Sequence, residues 1–375
     1  MNTRRASWVE VSTSAIRHNT RVLKRAVGDS KLLAVVKANG YGHGAVTAAE
    51  AALAAGADGL CVALVQEGVE LRRAGIENPI LVLSEQPLDQ LDELLAHGLI
   101  PTAYSVRYID ALADVARRHD VASHEVHLKI DTGMHRVGCA PSAIVELAGR
   151  VVARSPHLAL AGVFTHLATA DQLDPAFTNQ QIDVFDRALD DLRRSGIDPG
   201  WVHIANSAGA IAHPRARRDV VRVGIALYGI APDVSMNEKC ADLRPAMSLR
   251  SRVSFVKRVA AGEGVSYGLR HRFERSTTVA TIPIGYADGV PRQMGLVGGE
   301  VLIGGRRRPI VGVVTMDQLM VDCGDDSVSV DDDVVLIGRQ GDHEITANEW
   351  GELLGTIGYE VACGLSARLP RVVVD

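Results

Sequence analysis

The sequence predicts an α/β fold: an N-terminal (β/α)8 barrel of the TIM type over residues 12–238, then a mainly-β C-terminal domain over 239–375, joined by an N-terminal strand in 1–11. Three observations carry this reading. Eight short apolar runs recur up to about residue 230, most of them separated by stretches with helical spacing. Most of the runs are near-continuously apolar, as strands buried on both faces are. From Met247 onward the texture changes to strands with few helices. The 375-residue length fits two or three domains, at about 150 residues each.

The runs are Leu32–Val36, Gly59–Val65, Ile80–Leu83, Leu99–Tyr104, Val126–Ile130, Leu158–Phe164, Trp201–Ile204 and Val220–Val223. Ala45–Ala55 and Asn179–Leu192, with Ile182, Phe185 and Leu189 on one face, read as helices between them. Strand–helix alternation implies parallel βαβ units. Eight units suggest a closed barrel, although an open doubly wound sheet gives the same local pattern. Ala231–Pro245, with two prolines, reads as the linker. Beyond it, Leu249, Ser251, Val253 and Phe255 alternate with polar residues, predicting one half-buried strand. Gly304-Gly305 predicts a hairpin turn, and Thr346-Ala-Asn-Glu349 a capped helix, the one helix that stands out near the end. The segment Trp8–Val11 reads as a strand available to the second domain.

Composition narrows the function. Apolar residues make up 47% and charged residues 23%, as in globular proteins. The net charge of −5 and an aromatic content of 4% disfavour a nucleic-acid surface. No run reaches the roughly 18 apolar residues of a membrane span, and the start, with Arg4-Arg5 and no apolar stretch behind them, does not resemble a signal peptide. Five widely spaced cysteines without a Cys-x-x-Cys pair suggest reduced thiols, a cytoplasmic protein and no metal site.

In a barrel, reactive side chains gather where strands end and loops open onto one face. Lys37 ends the first run. Lys129, Asp131 and Arg136 end and follow the fifth, and His166 the sixth. His203, Asn206 and Ser207 end the seventh, and Arg222, Gly224 and Ile225 the eighth. The last two loops suit a phosphate, although Ser207 in a bland reading only caps its helix. Gly40-x-Gly42-x-x-Ala45 fits a loose dinucleotide fingerprint, but the acid expected some 20 residues on should end the second strand, and Asp58 begins it. In the competing reading, Lys37 forms a Schiff base with an aldehyde. A lysine with a separate phosphate site is what pyridoxal phosphate needs.

Lys37-Ala-Asn-Gly-Tyr-Gly-His-Gly resembles the cofactor-lysine motif of alanine racemases. Asp131-Thr-Gly-Met-His-Arg136, Thr165-His166, His203-Ile-Ala-Asn206-Ser207 and Arg222-Val-Gly-Ile225 are similar to the family's later barrel segments. Val265-Ser-Tyr267-Gly, Gly285-Tyr286-Ala-Asp-Gly, Thr315-Met316-Asp317-Gln318 and Gly358-Tyr359-Glu360 follow in family order in the second domain.

The resemblance implies a homodimer with shared active sites, pyridoxal 5'-phosphate as cofactor, and L- and D-alanine as substrates, supplying D-alanine for peptidoglycan. It implies that Lys37 and Tyr267, the latter from the partner subunit, are bases on opposite faces of the substrate. A tyrosine with its ordinary pKa near 10 needs cationic surroundings to act so, and the family links it to His166 and Arg222. The resemblance further implies that Tyr41, Asn206, Ser207, Gly224, Ile225 and Tyr359 help bind the cofactor. Arg222 faces its ring nitrogen, and Arg136 and the Met316 N–H meet the substrate carboxylate. Tyr286 narrows the entrance, and Lys129 matches a position that several members carry as an N-carbamate. Val313 stands where many relatives have an arginine, which changes the corridor near Asp171 and Arg292. Other readings are a racemase of another or broader small amino-acid range, a non-catalytic pyridoxal-phosphate carrier and a barrel-type decarboxylase. The carrier and the decarboxylase lack the Tyr267 context.

Overall fold

A computed structural model describes residues 5–375. Residues 1–4 of the expected N-terminal segment, with Arg4 among them, lie outside the described residues. The chain divides into two compact units. One is Ile16–Leu243; the other is Arg244–Asp375 together with the described residues up to Ala15.

Strand β1 is Trp8–Ser12 and belongs to the second unit. The first unit holds β2 (Lys31–Val35), β3 (Gly59–Val62), β4 (Ile80–Val82), β5 (Thr102–Ala103), β6 (His124–Lys129), β7 (Leu158–Phe164), β8 (Trp201–His203) and β9 (Val220–Val223). They pair in the order β4-β3-β2-β9-β8-β7-β6-β5, all parallel. The ring closes through Ile100, whose N–H donates to the Ile80 carbonyl while its carbonyl accepts from Val82. That closure decides for a barrel over an open sheet. β5 shrinks to two residues because Ile100 is spent on this bridge and the Leu99 N–H donates back to the Leu94 carbonyl. The run that began at Gly59 ends at Val62, and Val65 instead opens the helix Val65–Arg73.

Residues with a period of two along β6, β8 and β9 carry polar side chains inward. His127 and Lys129 alternate with Val126 and Leu128, all buried. The register sets Lys129 beside Phe164 and Phe164 beside His203. Helices Ala45–Ala54, Val106–Arg118, Ile144–Val152 and Ala176–Arg194 cover the sheet with their apolar faces. In the last, Ile182, Phe185 and Leu189 are the buried stripe. Each fully buried aliphatic or aromatic side chain of this kind contributes about 1.5–3 kcal/mol.

The second unit adds β10 (Met247–Arg252), β11 (Phe255–Val259), β12 (Gly264–Val265), β13 (His271–Arg272), β14 (Thr277–Ile282), β15 (Glu300–Ile303), β16 (Arg306–Val311), β17 (Leu319–Gly324), β18 (Asp333–Gln340), β19 (His343–Ile345) and β20 (Arg371–Val374). The main sheet runs β11-β14-β17-β16-β15-β18-β10-β1-β20. β1 lies between β10, antiparallel, and β20, parallel. The Leu249–Phe255 alternation is not one strand. β10 stops at Arg252, Phe255 starts β11, and its side chain is exposed. The Gly304-Gly305 turn joins β15 to β16, with both glycines at positive φ, as a tight hairpin requires. Thr346 caps Ala347–Leu354 by accepting from the Glu349 N–H. The Glu349 carboxylate is paired with Arg307 instead of closing a capping box. A second helix, Gly358–Cys363, follows it and has no counterpart in the sequence reading.

Candidate active site

Lys37 follows β2 at the mouth of the barrel and enters a backbone turn of unusual hand. Ala38, Asn39, Gly40 and Tyr41 have φ of 53°, 52°, 60° and 52°. A left-handed conformation costs a non-glycine residue roughly 1–2 kcal/mol, so the surroundings must hold the turn. Glu67 does so: one carboxylate oxygen accepts from the Ala38 N–H at 2.6 Å, and the other from Ala63 and Leu64 at 2.8 and 3.1 Å. Asn39 Oδ1 accepts from Ala45, capping the next helix. The turn buries Tyr41 against Tyr228, ring centroids 5.1 Å apart, and His43 stacks on Tyr228 at 4.3 Å. Glu67 is absent from the sequence reading, and His43 and Tyr228 have no role in it beyond lying within the Lys37 and Arg222 motifs. Only contact across elements reveals them.

The turn carries the Tyr41 hydroxyl over Gly224. A Cβ on residue 224 would lie 2.4 Å from that oxygen, so only glycine fits here. Ser207 Oγ accepts from the Gly224 N–H at 2.9 Å and the Ala226 N–H at 3.5 Å, and is buried. Its own hydroxyl hydrogen is thereby left for an acceptor. The cap of helix Ser207–Ala212 is Asn206, whose Oδ1 accepts from Gly209; Ser207 is not the cap. Ile225 is buried in the turn that follows Gly224. Tyr41, Ser207 and Gly224 thus form a cradle with hydroxyl donors.

Beside the cradle lies an excess of positive charge. Arg222 is 3% exposed and donates to His203 Nδ1 at 2.8 Å, to the Thr165 and Ile204 carbonyls at 2.7 and 3.1 Å, and to His166 Nδ1 at 3.3 Å. Burial lowers it to about 10, which still leaves it protonated at neutral pH. Lys129 is buried, 5.2 Å from the centroid of the Phe164 ring. Burial first, then Arg222, Arg136 and Lys37, push its amine down to about 7, with Asp131 opposing. The same causes, burial and then Arg222, Lys129, Arg136 and Lys37, hold partly buried His166 well below its ordinary value. Three cations, Lys37, Arg136 and Arg222, therefore share one rim with the Lys129 amine. Asp131, held as an anion by the Gly133 and His135 N–H groups, opposes them at Lys129 and is outweighed there by Arg222, Arg136 and Lys37. A cluster this positive suits an anionic ligand, and an amine beside a hydroxyl-lined cradle fits a phosphorylated aldehyde such as pyridoxal phosphate.

Asp58 accepts from Leu32 at the opposite end of the strands and pairs with Lys24, which removes the dinucleotide reading. Among the described residues no group of His, Cys, Asp and Glu is placed to hold a metal.

In the second unit one segment gathers three of the expected residues. Gly312 and Val313 hold the tip of the β12–β13 hairpin: Ser266 Oγ donates to the Val313 carbonyl at 2.5 Å, and a Cβ on Gly312 would lie 2.9 Å from that of Ser266. Tyr267 stands at this tip and is 68% exposed, while the hairpin's Val265 is buried in a cluster with Val259, Phe273, Val279 and Val311. Two residues further on, the Thr315 and Met316 carbonyls accept from the N–H groups of Tyr286 and Ala287, both at 3.0 Å. A Cβ on Gly285 would lie 2.3 Å from the Thr315 oxygen, so the two loops can approach this closely only at glycine. Buried Asp288 closes the assembly by accepting from Gly285 and pairing with Arg5 and Arg368. Tyr359 lies in the helix Gly358–Cys363, whose far end abuts Gly289. Val313 itself is buried.

The comparisons with known proteins cover both units. The model for the alanine racemase N-terminal domain matches residues 11–232, and that for the C-terminal domain matches 246–373. The alanine racemase of Symbiobacterium thermophilum is 49% identical over 98% of this chain and 97% of its own, and that of Nostoc is 42% identical over 98% and 96%. The alanine racemase structure from Bacillus anthracis, with bound L-Ala-P, superposes with a TM-score of 0.93 at 38% identity, covering 100% of this chain and 96% of that one. That from Streptomyces lavendulae gives 0.95 at 36%, covering 100% and 98%. A barrel with a basic, hydroxyl-lined rim, a β unit presenting an exposed tyrosine, and matches along nearly the whole length lead to one statement: the chain belongs to the alanine racemase family.

Proposed function

We propose that this protein interconverts L-alanine and D-alanine with pyridoxal 5'-phosphate, as a cytoplasmic homodimer whose product D-alanine serves peptidoglycan synthesis. The observation that carries the reading is the joining, by one left-handed turn, of Lys37 to a cradle of Tyr41, Ser207 and Gly224 beside Arg136, Arg222 and the Lys129 amine. When bound, the cofactor supplies an electron sink for the charge left as the Cα–H bond breaks.

The chain's own residues do the rest. Tyr41, Ser207 and the backbone at Gly224 and Ile225 hold the phosphate, joined by Tyr359, and Asn206 orients Ser207 by capping its helix. Arg222 would donate to the ring nitrogen and, because it stays protonated, would give the ring a hydrogen bond without passing it a proton. Arg136 and the Met316 N–H bind the substrate carboxylate. Lys37 Nζ takes or returns the α-proton on one face, and the hydroxyl of Tyr267 of the partner subunit serves the other. Tyr286 and Tyr267 restrict the entrance to a small side chain. Such an apolar limit discriminates one added group by only about 1–3 kcal/mol, so slow turnover of serine is expected. Lys129, whose amine is brought to about 7 among cations, would add CO2 through its neutral form, release a proton to water and become an anionic carbamate that orients Arg136.

The test is incubation of the protein and pyridoxal phosphate with L-alanine in D2O, following Cα–H loss by NMR and the chirality of the product. Deuterium at Cα with equal D and L product supports the reading. Bound cofactor with neither change overturns it in favour of a carrier or of another amino acid.

A further inference from the structure

Behind Arg222 the barrel interior holds a string of imidazoles that the reaction as described does not use. His203 Nε2 lies 2.9 Å from His127 Nδ1, and both rings are buried, 0% and 1% exposed. The packing fixes them. Phe164 stacks on His203 at 4.5 Å with planes 10° apart, and the Arg222 guanidinium lies 4.9 Å from the centroid of the same Phe164 ring. Trp201 meets His127 edge-on. Gly162 makes room for that ring, since a Cβ there would lie 2.6 Å from His127 Cε1 and Nδ1.

The direction of every bond in this string follows from chemistry. A guanidinium has donors and no acceptor. His203 Nδ1, 2.8 Å from Arg222, must therefore accept and carry no hydrogen. A neutral His203 then bears its hydrogen on Nε2 and donates it to His127 Nδ1. His127 Nδ1 must accept, so its own hydrogen is on Nε2. Neutrality of both rings is consistent with their burial beside Arg222, which drives His127 down to about 3 and His203 well below its ordinary value. If residue 127 offered no acceptor, His203 would keep a buried hydrogen without a partner. Its alternative is to turn that hydrogen onto Nδ1, where it would oppose the Arg222 donor.

We propose that His127 is a positioning residue: as the terminal acceptor of the directed chain Arg222 to His203 to His127, it fixes the His203 tautomer and so holds the Arg222 guanidinium in one orientation at the barrel mouth. The consequence for catalysis rests on the function proposed above. The tautomer assignment does not.

The experiment is 15N NMR of the full chain labelled at histidine, with and without pyridoxal phosphate, in the wild-type protein, His127→Gln and His127→Leu. The wild type is expected to show neutral His203 and His127, each with hydrogen on Nε2. In His127→Leu, loaded with pyridoxal phosphate, the cofactor's visible absorbance should shift. The kcat for alanine should fall about ten- to a hundredfold, the loss expected from an unsatisfied buried donor, with KM little changed. Glutamine retains an acceptor oxygen and should restore both. Hydrogen on His203 Nδ1, or a doubly protonated ring, in the wild type overturns the proposal. So does equal impairment of the Gln and Leu variants, which would indicate packing alone, or an unaltered Leu variant. If His127→Leu prevents folding, the wild-type spectrum and the Gln variant still decide. If the protein does not racemise alanine at all, the tautomers still test the chain of bonds.

Discussion

Single atoms decide what the rim can bind. The Gly224→Ala change places a methyl group 2.4 Å from the Tyr41 hydroxyl, so that ring must leave the cradle. Affinity for pyridoxal phosphate, titrated by absorbance, should fall at least tenfold, about 1.4 kcal/mol, with the fold intact by circular dichroism. Lys129 offers a test with a sign. Its folded value of about 7 lies below the 10.5 of a free lysine, so between those pH values the unfolded chain binds a proton that the folded chain does not. Stability must therefore rise with pH across that window, and the burial penalty is complete below it. Lys129→Met should raise the melting temperature at pH 6 more than at pH 10 in CO2-free buffer, by on the order of a few kcal/mol in stability at the lower pH. Added bicarbonate should stabilise the wild type and leave the Met variant unchanged. An equal gain at both pH values would contradict the assignment.

At the scale of elements, legibility followed burial. Most of the eight barrel strands stand out because burial on both faces makes them near-continuously apolar, although β6 is interrupted by His127 and Lys129, and the long helix Ala176–Arg194 stands out because its stripe of Ile182, Phe185 and Leu189 is regular. The Leu249–Phe255 run misleads because period-two alternation continues across Val253-Ser254, where the chain changes strands. The six-residue helix Gly358–Cys363 is too short to show a period. The turn after Lys37 is hidden for another reason. Glycine is the residue that signals positive φ, yet three of the four left-handed positions are Ala38, Asn39 and Tyr41, held by Glu67 from a distant helix. The residues on the rim could be named from the sequence, but their anchors could not, since Glu67, Tyr228 and His127 act through contacts that join separate elements. Ala38→Gly tests the turn. Glycine usually weakens a structured position by about 0.5–1 kcal/mol. Here it should raise stability in urea titrations, because it removes a left-handed penalty of about 1–2 kcal/mol. A loss would mean that Ala38 does not occupy that region.

For the whole molecule the decisive question is how many chains make one site. Tyr267 stands exposed on its hairpin, and the proposed mechanism takes it from the partner subunit. Mixing Lys37→Ala and Tyr267→Ala subunits after dissociation provides the check. Each mixed dimer would hold one intact site and one doubly damaged site, so random pairing should recover about a quarter of wild-type activity. Recovery near zero would place both bases on one chain. The sheet of the second unit has a consequence of its own, in the order of synthesis. β1 is made ahead of both its neighbours, β10 and β20, which begin at Met247 and Arg371. At a ribosomal pace of about 5–20 residues per second, β1 waits roughly 10–50 s for its first neighbour. The barrel strands, with all their partners between residues 31 and 223, are complete about 1–5 s before then at the same pace. The nascent chain thus carries an unpaired strand tethered ahead of a finished barrel, and a chaperone that masks strand edges has its clearest task there.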